Sequence, residues 1–250
     1  MSAQKNWVVK IGDFFFKWRN LLFPIILVSL FLLKVPPPEY FGMEGLEDIK
    51  DIMAVLLILA GLGFRAATIG WAYIKRGGVN KKVYADTLVM NGYFGMCRNP
   101  LYVGNMMIYS GIFIQHGHPL VAATGITLFA LIYVSLIAAE EFFLREKFGM
   151  AFEAYCENVP RWIPDFSRYK DATKDMEFSF RRVIFKDYTT IFNTILASVF
   201  IELIEHYVYY PPSVFNIMAK ILAAIIIILG MCTITVKYLK KREAAARKSS

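Results

Sequence analysis

The sequence predicts an all-α integral membrane protein with about six transmembrane helices, one pair of them able to form a tilted helical hairpin, and with both termini cytoplasmic. Three observations lead there. The 250-residue chain is 57% hydrophobic and 16% aromatic, with a mean hydropathy of +0.46, as expected of a chain that meets lipid rather than of a soluble two-layer domain. It holds several runs close to the roughly 20 apolar residues that a helix needs to cross the hydrocarbon core. Its basic residues fall in alternate connections between those runs.

The first run is 20–35 and the second 49–74. A shorter one, 101–115, reaches spanning length if its helix begins near Phe94. Otherwise it pairs with the next run, 119–139, as a hairpin turning at His116-Gly117-His118-Pro119. Runs 188–209 and 214–236 complete the set. Lys and Arg in short flanking loops are retained on the cytoplasmic side. Lys5, Lys10, Lys17 and Arg19, the segment from Lys75 to Arg98, the segment from Arg145 to Lys186, and Lys237, Lys240, Lys241, Arg242, Arg247 and Lys248 in the tail are all basic. The connection after the first run instead carries Glu39, Glu44, Glu47, Asp48 and Asp51 against Lys34 and Lys50, and the other two carry histidines or Tyr-Tyr-Pro-Pro. Six crossings with both ends inside satisfy every loop.

The net charge of +8 is thus a topology signal plus attraction to anionic membrane lipids, about 1 kcal/mol per near-surface cation. No RNP motif, zinc knuckle or base-reading helix accompanies it, so nucleic acid is not an expected partner. The first run is followed by acidic residues and three prolines, not by a small-residue cleavage site, and is expected to remain as an anchor. Cys97, Cys156 and Cys232 lack CxxC spacing and fall in or near the cytoplasmic half, so no disulfide framework is indicated. The Ala-rich basic tail, 240–250, is expected to be frayed.

Three polar features interrupt the apolar pattern. Arg65 lies mid-span in Gly61-Leu62-Gly63-Phe64-Arg65-Ala66-Ala67, where a guanidinium must pair or face a water-filled cavity. Gly61, Ala66, Ala67 and Gly70 nearby allow a neighbouring helix to approach closely. Glu140 and Glu141 end the fourth run, with Arg145 at i+4 from Glu141. An ordinary surface ion pair has that spacing, but at the bilayer edge one carboxylate must point toward protein, where it can accept hydroxyl hydrogen bonds or balance a cation. In Arg98-Asn99-Pro100-Leu101-Tyr102-Val103-Gly104, Pro100 suits a first helical turn and Asn99 a cap. The helix start offers N–H groups and positive dipole to an anion, with Tyr102 and Asn105 facing the same pocket.

Two ordered blocks carry a family resemblance. Leu88-Val89-x-x-Gly92-Tyr93-x-x-x-x-Arg98-Asn99-Pro100-x-Tyr102-x-Gly104 is followed, after a hairpin of spans, by Glu140-Glu141-x-x-Leu144-x-x-x-Phe148-Gly149-x-x-x-x-x-Tyr155-x-x-x-Val159-Pro160-Arg161-x-Ile163-Pro164. Over about residues 55–165 the chain resembles the isoprenylcysteine carboxyl methyltransferases and the related integral-membrane phospholipid methyltransferases. The resemblance implies an S-adenosyl-L-methionine site at the cytoplasmic face, with cofactor contacts at Asp86, Thr87, Leu88, Val89, Phe94, Asn99, Pro100, Leu101, Tyr102 and Glu140. Phe94 stands where the family often has Tyr. Asn99 stands where it usually has His, which keeps a hydrogen bond and loses a titrating imidazole. The substrate-binding arginine of the isoprenylcysteine enzymes is replaced by Leu136, a role open to Arg65 or Arg161.

The implied organisation is an arm and first anchor (1–54), a methyltransferase core (55–165), a cytoplasmic connector (166–187), and two further spans with a basic tail (188–250). Those last spans have no counterpart in the family core and would shape a lipid entry groove, form an oligomer interface or add anchoring. The implied activity is methyl transfer from S-adenosylmethionine to a lipid or isoprenoid-type acceptor, with Arg65, Glu141 and Arg161 as candidate catalytic residues. A sulfonium methyl is already activated, so orientation and water exclusion suffice; an amine acceptor would also need a proton acceptor such as Glu141 or Tyr102. A nicotinamide-dependent membrane reductase and a non-catalytic scaffold are the alternatives. His116, His118, Glu202, Glu205 and His206 fall on one side and could form a metal site, but no HxxxH or HExxH spacing appears and scattered interfacial polar residues fit better.

Overall fold

A computed structural model describes residues 4–38, 45–71 and 83–246. Glu39, Glu44, Lys75, the end of the 49–74 run, Arg247 and Lys248 lie outside the described residues.

Helix α1, Trp7–Leu33, begins well before the first apolar run, because the Asn6 side chain accepts the Val9 N–H at 3.0 Å and caps it. Val9, Gly12 and Phe16 recur at helical spacing and are buried, so the predicted basic arm is itself helical. The remaining elements are α2 (Leu46–Trp71), α3 (Tyr93–Met96), α4 (Pro100–His116), α5 (Pro119–Phe148), α6 (Met150–Asn158), a 3-10 turn at Phe166–Arg168, α7 (Tyr169–Ala172), α8 (Phe180–Tyr209) and α9 (Pro212–Ala246). Two boundaries differ from expectation. Helix α8 starts inside the stretch 166–187 read as a connector, capped by Ser179, which accepts the Arg182 N–H at 3.2 Å. Helix α9 continues through the basic tail to Ala246, since Lys, Arg and Ala are good helix formers even where they are polar.

Among the described residues five helices, α1, α2, α5, α8 and α9, are long and apolar enough to cross a membrane. Helix α4 does not extend back to Phe94: α3 is a separate turn that ends at Cys97. Its 17 residues rise about 25 Å, short of a hydrocarbon core of about 30 Å. It forms a hairpin with α5 through Gly117, whose φ of +78° a side chain would resist. His118 then accepts the Leu120 N–H at 3.3 Å and caps α5.

Helices α2 and α4 pack closely through glycine. A Cβ at Gly61 would lie 2.7 Å from the Gly104 carbonyl oxygen, and one at Gly104 would lie 3.0 Å from that of Gly61. Helix α1 runs along α5, with Gly12 seated on the Ser135 backbone. Helix α8 runs along α2 and α9. The core is aromatic: Phe23 meets Phe129 and Tyr133 edge-on at 5.2 and 6.0 Å.

One end of the bundle gathers the basic segments. The Lys5 ammonium sits over the Phe142 ring, Ser179 N–H donates to the Gly70 carbonyl at 3.0 Å, and Lys240 reaches the Phe185 carbonyl at 3.3 Å. At the opposite end buried Lys50 pairs with Glu47 and Asp51, both at 3.1 Å, and donates to the Gln115 carbonyl at 3.2 Å. Gln115 in turn donates to Glu202 at 3.2 Å, tying α2, α4 and α8 together. The histidines there do structural work: His116 stacks on Phe31, His118 caps α5, and His206 lies 2.9 Å from the Glu202 carbonyl and stacks on Tyr210. No group of three or more His, Cys, Asp or Glu among the described residues could hold a metal ion.

Candidate functional site

The two sequence blocks meet at the basic end. Arg98 N–H donates to the Pro160 carbonyl at 2.9 Å, Asp165 N–H to the Met96 carbonyl at 3.0 Å, and the Tyr155 hydroxyl to the Phe94 carbonyl at 2.7 Å. Ala85, Leu144, Phe152, Tyr155 and Val159 form a small second core beneath them. Burial pushes the Cys97 thiol up to about 11, so it stays protonated and points at the Trp162 and Arg161 carbonyls, 3.3 and 3.5 Å away.

Above this cap, a cavity of about 900 Å³ runs between α1, α2, α4, α5 and α8. Its character changes along its length. Toward the basic end Arg65, Asn99, Asn105, Glu140, Lys186 and Thr190 line it; toward the opposite end the wall is Phe23, Leu27, Phe31, Ile112 and Phe200. Pro24 on α1 lacks the N–H that would bond the Asn20 carbonyl, and both residues border the cavity.

Arg65 is buried and fully engaged. Its Nε donates to Asp187 Oδ2 at 3.2 Å and its Nη2 to Asp187 Oδ1 and, at 3.2 Å, to Thr190 Oγ1. Its Nη1 donates to Asn105 Oδ1 at 2.6 Å and to the Leu101 carbonyl at 3.4 Å. One guanidinium therefore joins α2, α4 and α8. Glu141 pairs with Arg161 at 2.9 Å and accepts its Nε at 3.1 Å, whereas Arg145 pairs with Glu153 at 2.6 Å. The i+4 pair that the spacing allowed is not formed.

Asn99 occupies the cap position of α4, but its side chain makes no capping bond. Instead its Nδ2 donates to the Arg161 carbonyl at 3.2 Å and to Glu141 Oε1 at 3.5 Å. Arg161 and Glu141 thus hold Asn99 against the cavity from behind.

Of the predicted site residues, Arg65, Phe94, Asn99, Leu101, Tyr102 and Glu140 share the cavity wall. Pro100 is buried at the first position of α4, and Glu141 and Arg161 stand behind the wall. Asp86 and Thr87 are exposed, with Asp86 accepting the Tyr84 hydroxyl. Leu88 packs against the second core. Neither these three nor Val89 borders the cavity. Sequence reasoning missed Arg19 and Asn20 on α1 and Arg182, Lys186, Asp187, Thr190, Asn193 and Thr194 on α8. A signal existed: Lys186, Thr190, Asn193, Thr194 and Ala197 recur at helical spacing within an otherwise apolar run.

The two blocks are in contact around one cavity, and part of the chain that forms it is similar to known proteins. Residues 49–151 match the phospholipid methyltransferase family. The chain is also similar to the cobalt-zinc-cadmium resistance protein CzcN of Cupriavidus metallidurans, 32% identical over 48% of this chain and 54% of that protein. It is similar to the nickel-cobalt-cadmium resistance protein NccN of Alcaligenes xylosoxydans xylosoxydans, 30% identical over 50% of this chain and 58% of that one. The chain spans just over half the length of these curated relatives. No solved structure matches it. The match to the phospholipid methyltransferases begins in α2 and ends at the start of α6, so it includes Arg65, Asn99, Tyr102, Glu140 and Glu141. It leaves out α1, α8, α9 and Arg161, which supply the rest of the cavity and its support. The family match and the five apolar helices together point to an integral membrane protein.

Proposed function

We propose that this chain moves the methyl group of S-adenosylmethionine to a lipid or isoprenoid-type acceptor that enters the cavity from the bilayer, at the cytoplasmic face. One observation carries the reading: a single cavity places the polar residues of the methyltransferase segment at one end and an apolar wall of α1 and α8 at the other. A water-soluble donor and a membrane-soluble acceptor need that combination.

The residues present fit the donor. Glu140, 9% exposed on the cavity wall, offers carboxylate oxygens to a ribose diol, and the aromatic Phe94 and Tyr102 offer flat walls to a base. The donor supplies a methyl group on a sulfonium, whose sulfur keeps the bonding electron pair as the methyl leaves. The protein then orients and excludes water. Asn99, fixed by Glu141 and the Arg161 carbonyl, positions the start of α4. Arg65, locked to Asp187, fixes α8 opposite it. Glu141 is committed to Arg161 and acts as a positioning residue. The metal-resistance names of the two relatives find no counterpart in a metal-holding side-chain group among the described residues.

Calorimetry of detergent-purified protein with S-adenosylmethionine and with NADPH tests this reading. Binding of S-adenosylmethionine is expected, weakened about tenfold or more, some 1.4 kcal/mol, in Glu140→Ala. Exclusive binding of NADPH would replace the methyltransferase with a reductase, and silence toward both would favour a scaffold.

A further inference from the structure

The cavity is lopsided in charge. Arg19, Arg65, Arg182 and Lys186 line it, against the single carboxylate of Glu140. Asp187, 1% exposed behind the wall, matches Arg65. Arg182 donates to the Gly70 carbonyl at 3.1 Å. Arg19 and Lys186 have no acidic partner among the described residues; the Arg19 guanidinium instead rests over the Phe16 ring, 4.4 Å from its centroid. Long basic side chains near the end of a span often snorkel to lipid headgroups. These two differ in facing one cavity from two helices, α1 and α8, with an apolar wall continuing beyond them.

We propose that Arg19 and Lys186 form an anion clamp that selects a methyl acceptor with a negatively charged headgroup, phosphate or carboxylate, its chain lying along Phe23, Leu27, Phe31 and Phe200. The inference rests on the methyltransferase reading for the word acceptor, and on charge alone for the clamp. Arg19 is half-buried and Lys186 exposed at the cavity wall, and an anion that enters beside them can accept charge-assisted hydrogen bonds that no acidic side chain there competes for. The donor tightens the requirement. S-adenosylmethionine carries a sulfonium and an ammonium against one carboxylate, so its arrival adds net positive charge and leaves an anion as the complementary second occupant. Both clamp residues lie outside 49–151, so the family match assigns them nothing. They would give this chain its own selectivity on a shared catalytic segment.

The test compares amphiphiles of one chain length that differ in headgroup, namely hexadecyl phosphate, palmitate and hexadecanol, binding to the full chain in a neutral detergent. Hexadecyl phosphate and palmitate should bind at least about tenfold more tightly than hexadecanol, the scale of a charge-assisted hydrogen bond. Arg19→Gln with Lys186→Gln should erase that preference, and Arg19→Lys with Lys186→Arg should keep it. Equal binding of all three overturns the clamp, and so does a preference that survives the double glutamine variant, which would assign it to snorkelling cations elsewhere on the basic end. Inorganic phosphate that displaces hexadecyl phosphate at equal concentration would move the site to a free anion and overturn the lipid assignment. Calorimetry with S-adenosylmethionine on the same preparations separates the two readings: headgroup selectivity without donor binding sinks the methyltransferase and spares the clamp, and donor binding without selectivity does the reverse.

Discussion

Asp187→Ala is expected to destabilise the protein by about 3 kcal/mol, because it strands a buried guanidinium inside a helix bundle. Arg65 makes five hydrogen bonds, two of them to Asp187, and only those two go to a charged acceptor. Removing one partner of a buried ion pair costs about 3–5 kcal/mol, and an unpaired Arg at the centre of a span costs about 2.5–3.5 kcal/mol on insertion scales. Asn105, Thr190 and the Leu101 carbonyl remain as neutral acceptors, which favours the lower end. A shift of 3 kcal/mol is about two orders of magnitude in the folding equilibrium. Reversible unfolding by sodium dodecyl sulfate in mixed micelles, followed by tryptophan fluorescence, would read it. The companion Arg65→Met with Asp187→Leu replaces both ions with apolar groups and should lie within about 1 kcal/mol of the parent, since a buried pair and its apolar replacement are often equal. A loss below about 1 kcal/mol for Asp187→Ala, or a double variant as unstable as the sum of the two singles, would refute the claim that this pair bolts α8 to α2 and α4.

The other expectations concern the cap and the α2–α4 contact. In Gly104→Val, the new Cβ would meet Arg65 Cγ at 2.5 Å and the Gly61 carbonyl at 3.0 Å; overpacking of about 1–3 kcal/mol should appear as a lowered melting temperature in differential scanning fluorimetry. Cys97 should resist iodoacetamide at neutral pH in the folded protein, because burial holds its thiol up to about 11 and only the thiolate reacts. Between its ordinary value of 9.0 and about 11 the unfolded chain ionises this thiol while the folded one keeps the proton, so stability falls as pH rises through that window, and Cys97→Ala should flatten the fall. Arg161→Ala should weaken S-adenosylmethionine binding severalfold in calorimetry although Arg161 does not border the cavity, because Glu141 loses its side-chain partner and no longer holds Asn99, whose bond to the backbone carbonyl of residue 161 remains; Arg161→Lys should restore part of it.

The fold was legible where apolar runs were long and flanked by charge, and less so where amphipathic pattern replaced bulk hydropathy. Helix α1 starts at Trp7 because Asn6 caps it and Val9, Gly12 and Phe16 recur on one face, a pattern that a search for uniformly apolar runs passes over. The halt of α4 at Pro100 could be read from its proline, but the separate turn of α3 depends on tertiary bonds to Pro160 and Asp165 that no local pattern encodes. Of the residues on the cavity wall, Asn99, Tyr102, Glu140 and Arg65 stand out in the sequence because polar residues are conspicuous in apolar surroundings. The partner of Arg65 does not: Asp187 lies 122 residues away, in a stretch whose basic neighbours disguise it as a loop. Asp86 and Thr87 came from the resemblance alone, and they fall on the exposed side of the cap.

The role of α8 follows from these pieces taken together. The family-matched segment, which ends at the start of α6, has Arg65 without its carboxylate and a cavity open along one side. Helix α8 closes that side with a polar stripe at the basic end and Ala197 and Phe200 farther along, and it brings Asp187, which no helix of the matched segment supplies. The pair places Lys186, one residue before Asp187, at the cavity wall on the same turn. Anchoring and selectivity therefore sit on adjacent residues: the ion that fixes the helix also sets the depth at which the clamp meets a headgroup. A lipid-facing anchor would need neither the buried acid nor the polar stripe. Helix α9, which among the described residues packs chiefly on α8 and has neither a buried acid nor such a stripe, marks the contrast.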